Sequence, residues 1–127
     1  MYKRQLKSGV VFELEKVVRQ EDTATAYGSG GVDVFATPAM ISLMENTALR
    51  LVAPYLEEGW VTVGTQVNVK HIKATPVGMK VRCIAKLVSV DGPKLMFEVE
   101  AYDEKGKIGF GTHKRYVVNL AEFMKNL

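Results

Sequence analysis

The stretch TPAMISLMENTALRLVA, residues 37–53, decides the architecture. Thr37 is a plausible N-cap, with Pro38 at the first helical position. The apolar residues that follow recur at helical spacing until Pro54 ends the run. One helix of about 17 residues is therefore expected, and one residue in it breaks the pattern. Glu45 is the only charged side chain between Val34 and Leu49, and Ile41, Ala48 and Leu49 surround it at helical spacing. A carboxylate beside the packing face is costly unless paired, and burial tends to raise its pKa. A flank position reaching solvent is the plainer alternative.

Outward from the helix the period changes to two. Upstream, Val10–Val18 reads as a first strand, and Thr23–Tyr27 as a second, short one before the loop Gly28-Ser29-Gly30-Gly31. Downstream, Val61, Val63, Val67 and Val69 are expected on one face of a strand, with Thr62, Gln66, Asn68 and Lys70 on the other. Thr75-Pro76-Val77-Gly78 turns the chain. Val81, Cys83, Ala85 and Leu87 then form one inward row, and Leu95, Phe97, Val99 and Ala101 the next. Hairpin signals stand at Asp91-Gly92-Pro93 and Asp103-Glu104-Lys105-Gly106. A last strand runs over about 108–118, and LAEFMKNL closes as a short helix. Strand, long helix, then hairpin-linked strands argue for α+β, one helix packed on an antiparallel sheet. One such domain accounts for residues 1–127.

Bulk properties exclude more than they assign. The chain is 47% hydrophobic and 24% charged, as in ordinary globular proteins, with net charge +3 from 17 basic and 14 acidic residues. That excess is too mild for a nucleic-acid-binding profile, and no apolar run is long enough to span a membrane. A single cysteine, Cys83, and no secretory leader pattern fit a cytoplasmic protein. Two histidines without HxxxH or CxxC spacing argue against a metal site. GSGG at 28–31 lacks the strand and helix context of a dinucleotide loop, and there is no GxSxG elbow.

Three residues could carry chemistry. Glu45 is the first. His71 continues the Val67, Val69 row toward the helix, where an imidazole could meet a carboxylate; a strand-end histidine bonded to a backbone carbonyl is the alternative. Thr37 is the third: by default a cap, but at a helix N-terminus that favours negative charge on a carbonyl oxygen. Eight residues of helix put Thr37 and Glu45 roughly 12 Å apart, so a shared reaction centre favours a dimer interface. His113 is read as a sheet-surface residue, and Met40, Met44, Phe97 and Phe110 as core or pocket lining.

The segments VFATPAMISLMENTALRLVAPYLEEG (34–59), VGTQVNVKHIKATPVGMKV (63–81) and IGFGTHKRYVV (108–118) together resemble the fluoroacetyl-CoA thioesterase-like branch of the hotdog superfamily. The resemblance covers about residues 6–125. It implies a hotdog fold, a long helix wrapped by an antiparallel sheet, in homodimers joined edge to edge and possibly in higher oligomers. It implies hydrolysis of a short or medium acyl-CoA with no cofactor, CoA being part of the substrate. The family's catalytic threonine, acid and histidine fall on Thr37, Glu45 and His71. Its acyl-site glycine falls on Gly64 and its late-strand arginine on Arg115. Lys70, Lys73 and Arg115 are then candidates for the CoA phosphates. The fluoroacetate-specific enzyme carries a longer, aromatic-rich lid where this chain has only Tyr27–Phe35, so general thioester hydrolysis is implied rather than fluoroacetyl selectivity. A hydratase would need an Asp/His pair in its own motif, which is not found. A non-catalytic acyl-CoA binder would keep the pocket without turnover.

Overall fold

The computed structural model describes residues 1–127. Elements follow in the order β1 (Val11–Val17), α1 (Ala24–Tyr27), α2 (Thr37–Val52), β2 (Trp60–His71), β3 (Lys80–Asp91), β4 (Lys94–Asp103), β5 (Gly106–Asn119) and α3 (Leu120–Lys125). The five strands form one antiparallel sheet in the order β1-β3-β4-β5-β2, leaving β1 and β2 as edges.

Helix α2 buries Ala39, Met40, Leu43, Met44, Thr47, Ala48, Leu51 and Val52, the three-and-four spacing that lays one face on a sheet. Thr47, the polar member, donates its hydroxyl to the Leu43 carbonyl at 2.7 Å, so nothing is left unpaired there. Beneath lie Val81, Cys83, Ala85 and Leu87 from β3 and Leu95, Phe97, Val99 and Ala101 from β4, the two rows expected from alternation, each at most 2% exposed. All belong to a single cluster of buried apolar residues. Buried among them, the Cys83 thiol is pushed up to about 11 by loss of water.

Three local expectations fail. Thr23–Tyr27 is not a strand: Gln20–Asp22 make a 3₁₀ turn, and Ala24–Tyr27 one turn of helix. Thr23 caps that turn by accepting from the Ala26 amide, and Gly28, at φ 70°, ends it in the left-handed conformation glycine adopts without strain. At the start of α2 the N-cap is Ala36, so Thr37 and Pro38 are the first two helical residues and the Thr37 hydroxyl caps nothing. Phe110 takes the second of its two expected places, lining a cavity of about 540 Å³. It is 39% exposed on the outer face opposite Lys70.

The third failure concerns β2. Its pairing with β5 shifts between Gly64 and Gln66, a bulge at Thr65. One extra residue inverts which face every later side chain takes. Thr62 and Gly64 stand opposite the buried Val117 and Arg115, while beyond the bulge it is Val67, Val69 and His71 that oppose the inward His113, Gly111 and Gly109. Val61 and Val63 thus lie on the outer face and Thr62 on the inner, the reverse of strict alternation. Asn68 and Lys70 stay outside. No helix is long and apolar enough to cross a membrane.

Candidate active site

Where α2 overlies β3 and β4 the interior is apolar; toward β5 and the edge strand β2, polar groups join the buried Ile108 and Val117. Two clusters occupy that second half, one at the N-terminal end of the helix and one near its middle.

At the N-terminal end, Thr37 Oγ1 lies 2.8 Å from His71 Nδ1. The hydroxyl freed by Ala36 taking the cap position thus finds an imidazole delivered by the last residue of β2. His71 Nε2 is buried with no hydrogen-bond partner. A buried polar atom left unpaired costs about 1–3 kcal/mol, an expense rarely kept where only packing is at stake. Burial lowers the imidazole pKa, with a backbone interaction at Lys73 pulling the other way. The pair lines a cavity of about 350 Å³ with Ala24, Ser29, Val34, Phe35 and Ile72.

Two turns along α2, the Glu45 carboxylate lies 3.8 Å from Arg115 Nη1, an ion pair longer than a hydrogen bond. The Arg115 guanidinium is otherwise fully directed: Nε donates to Thr62 Oγ1 at 2.8 Å, Nη2 to the Thr62 carbonyl at 2.9 Å and Nη1 to His113 Nε2 at 3.2 Å. Burial works against its charge and Glu45 supports it. Gly64 completes the cluster, because a Cβ there would stand 2.7 Å from Glu45 Oε2. Glycine at this point lets the strand pass directly beneath the carboxylate.

Sequence-predicted residues therefore sort into two groups. Thr37 and His71 meet each other, and Glu45, Gly64 and Arg115 meet each other, but the acid and the His71 imidazole do not touch within one chain. Of the two alternatives for Glu45 the flank position holds: its side chain is 40% exposed. Arg115, only 5% exposed and committed to Thr62, His113 and Glu45, has no free edge for a phosphate. Lys73 is likewise engaged, its ammonium 2.9 and 3.0 Å from the two oxygens of buried Asp103, which Thr75 also contacts. Lys70 points to the outer face and has no ion-pair partner among the salt bridges.

His113 is the residue that sequence reasoning misplaced. It is 1% exposed and faces inward, not outward. Its parity with Arg115, two residues on, was the available signal. Thr62 was misassigned because of the bulge, and the isolated Gly64 inside a strand was its signal. Groups of His, Cys, Asp and Glu that could hold a metal ion are absent.

A long helix wrapped by a five-stranded antiparallel sheet, with polar clusters along the gap over its edge strand, is the architecture of hotdog-fold thioesterases. Residues 18–121 match the family described as FlK, fluoroacetyl-CoA-specific thioesterase, and the chain belongs to that family. A fluoroacetyl-CoA thioesterase of Streptantibioticus cattleyicolor is 46% identical over 91 residues, which are 72% of this chain and 66% of that protein. The solved structure of FlK superposes with a TM-score of 0.92 at 37% identity, covering 97% of this chain and 96% of that one. A mutant of FlK in complex with fluoroacetate and CoA gives 0.89 at 39% identity over 93% and 99% of the two chains. A hypothetical protein of Thermus thermophilus described as a thioesterase superfamily member gives 0.89 at 30% identity, over 97% and 91%.

Proposed function

We propose that this chain is one cytoplasmic domain that hydrolyses a short or medium acyl-CoA to free acid and CoA, at a site built by two copies of itself. The relatives' activity and the FlK complex with CoA support the substrate class. The observation that carries the two-copy reading is the split itself: Thr37 holds His71 with Nε2 unpaired, while Glu45 stands roughly 12 Å further along the helix. Strand β2 is an unpaired edge, exposed throughout Gly64–Asn68. Antiparallel pairing of two such edges reverses chain direction and brings each Glu45–Gly64–Arg115 end toward the partner's Thr37–His71 end.

In this arrangement the Glu45 carboxylate attacks the thioester carbonyl carbon, or takes a proton from the water that does. Negative charge on the carbonyl oxygen is met by the Thr37 hydroxyl and the N-terminus of α2. Collapse breaks the C–S bond; on the general-base route the proton that Glu45 took from water passes to the departing sulfur through His71, and on the nucleophilic route water then hydrolyses the acyl–Glu45 anhydride and supplies that proton. Gly64 leaves the acyl group room beside Glu45. The loop over the cavity carries no exposed aromatic between Gly28 and Asp33, which admits acyl groups larger than fluoroacetyl. Lys70 keeps the phosphate role of the three basic candidates. CoA enters as part of the substrate and no cofactor is required.

Thiol release from an acyl-CoA panel tests the assignment. Glu45→Ala and His71→Ala are each expected to lower kcat/KM by about 10²–10⁴. Mixing the two inactive chains and letting subunits exchange is expected to restore about a quarter of wild-type activity, since half the dimers then hold one intact composite site. Unchanged turnover in both single variants removes the catalytic reading; no recovery on mixing removes the shared site.

A further inference from the structure

The mechanism above uses one histidine, yet the other is held more tightly. His113 is fully buried, and its ring stacks on Phe97 with centroids 6.0 Å apart and planes at 28°. Both ring nitrogens are engaged. Nδ1 lies 2.8 Å from the Gln66 carbonyl, which can only accept, so Nδ1 carries the proton. Nε2 is then a lone pair, and it faces Arg115 Nη1 at 3.2 Å, which can only donate. Each bond requires the tautomer that the other sets.

The partners are informative. Nη1 is the guanidinium nitrogen in the ion pair with Glu45, whereas Nε and Nη2 are tied to Thr62. Gln66 is the residue immediately after the β2 bulge, and Gly64, just before it, faces inward beneath the same carboxylate. One imidazole therefore bonds both Arg115 and the strand beside Gly64.

We infer that His113 is a positioning residue for the Glu45 site: its Nε2 lone pair aims Arg115 Nη1 at the carboxylate, and its Nδ1–H, given to the Gln66 carbonyl, fixes the tautomer that leaves that lone pair free. The inference rests on the catalytic reading of Glu45. An apolar side chain of similar size would fill the same space but could not do either. The ring must be neutral, because a proton on Nε2 would point at the Arg115 donor. Burial and the Arg115 charge favour the neutral form; the Gln66 carbonyl and Glu45 of α2 oppose it. Phe97 of β4 and Val67 of β2 bring no charge to the ring.

Two substitutions separate the two bonds. In His113→Gln the side-chain oxygen reaches the place of Nε2 and accepts from Arg115. In His113→Asn the amide takes the place of Nδ1, donates to Gln66 and falls short of Arg115. With KM close to wild type in both, kcat is expected to fall about tenfold or more in His113→Asn and to stay within about threefold in His113→Gln. Equal losses, or no loss in either, overturn the assignment. Should a variant fail to fold, the ring-nitrogen NMR signals of the wild-type protein decide it: an Nδ1–H tautomer with unprotonated Nε2 at neutral pH is expected, and an Nε2–H tautomer overturns it. Failure of the catalytic reading itself would be seen separately, as wild-type turnover in Glu45→Ala.

Discussion

The two halves of the interior beneath α2 are built from the same parts to different ends. Over β3 and β4 the helix meets eight apolar side chains, and the only titratable group among them, Cys83, is silenced by burial. Over β5 and β2 it meets His71, Gly64, His113, Arg115 and Thr62. The first half lies mid-sheet, flanked by strands on both sides, where an unpaired polar group could not be hydrated. The second reaches an edge strand, where space and partners for polar groups exist. The contrast teaches that one helix can carry stability on one flank and chemistry on the other.

The largest effect expected from this contrast is on stability. Leu87→Ala empties a position with no exposure in the apolar half and should destabilise the fold by about 2–5 kcal/mol in denaturant titrations, with kcat of the remaining folded protein unchanged. A fall in kcat to match would break the division. Arg115→Met carries apolar chemistry into the polar half. Thiol release should drop about 10²-fold and the melting temperature should fall, though less than in Leu87→Ala, because the Thr62 carbonyl and His113 Nε2 lose their buried donor. Melting as low as Leu87→Ala would show that the polar half also bears the load.

The smallest effect is on pH dependence, and it sharpens the contrast. Both histidines are weaker bases in the folded protein than their ordinary 6.5, chiefly through burial. Unfolding therefore takes up protons as the pH falls through about 6.5, so stability is lost in the acid direction and is unaffected above it. Melting temperature should fall between about pH 7 and pH 5, and less steeply in His71→Asn or His113→Asn. A flat profile in the wild-type protein would mean that neither ring pays for its place.

Much of this was legible beforehand. The α2 run, the inward rows of β3 and β4 and both hairpin turns are local patterns, and a 3.6 or 2.0 period survives wherever the ladder is regular. The rows failed only at β2, where one extra residue reversed parity; alternation cannot register a bulge, although Gly64 inside a strand hinted at one. The same slip exchanged the roles of Thr62 and Val63. His113, read as a sheet-surface residue, faces inward beside Arg115. Lys73 departs for another reason: it is drawn to Asp103, thirty residues away, by a contact no spacing reveals.

Periodicity, turn chemistry and a resemblance spread over nearly the whole chain carry the long elements, the inward rows of β3 and β4, the fold and the residue types of the candidate site. Only the tertiary structure decided which of those residues meet: Thr37 with His71, Glu45 with Arg115, and His113 with both Gln66 and Arg115. Such pairings depend on strand order, the bulge and the angle at which the helix crosses the sheet. All three are set by long-range packing, which no window of neighbouring residues contains.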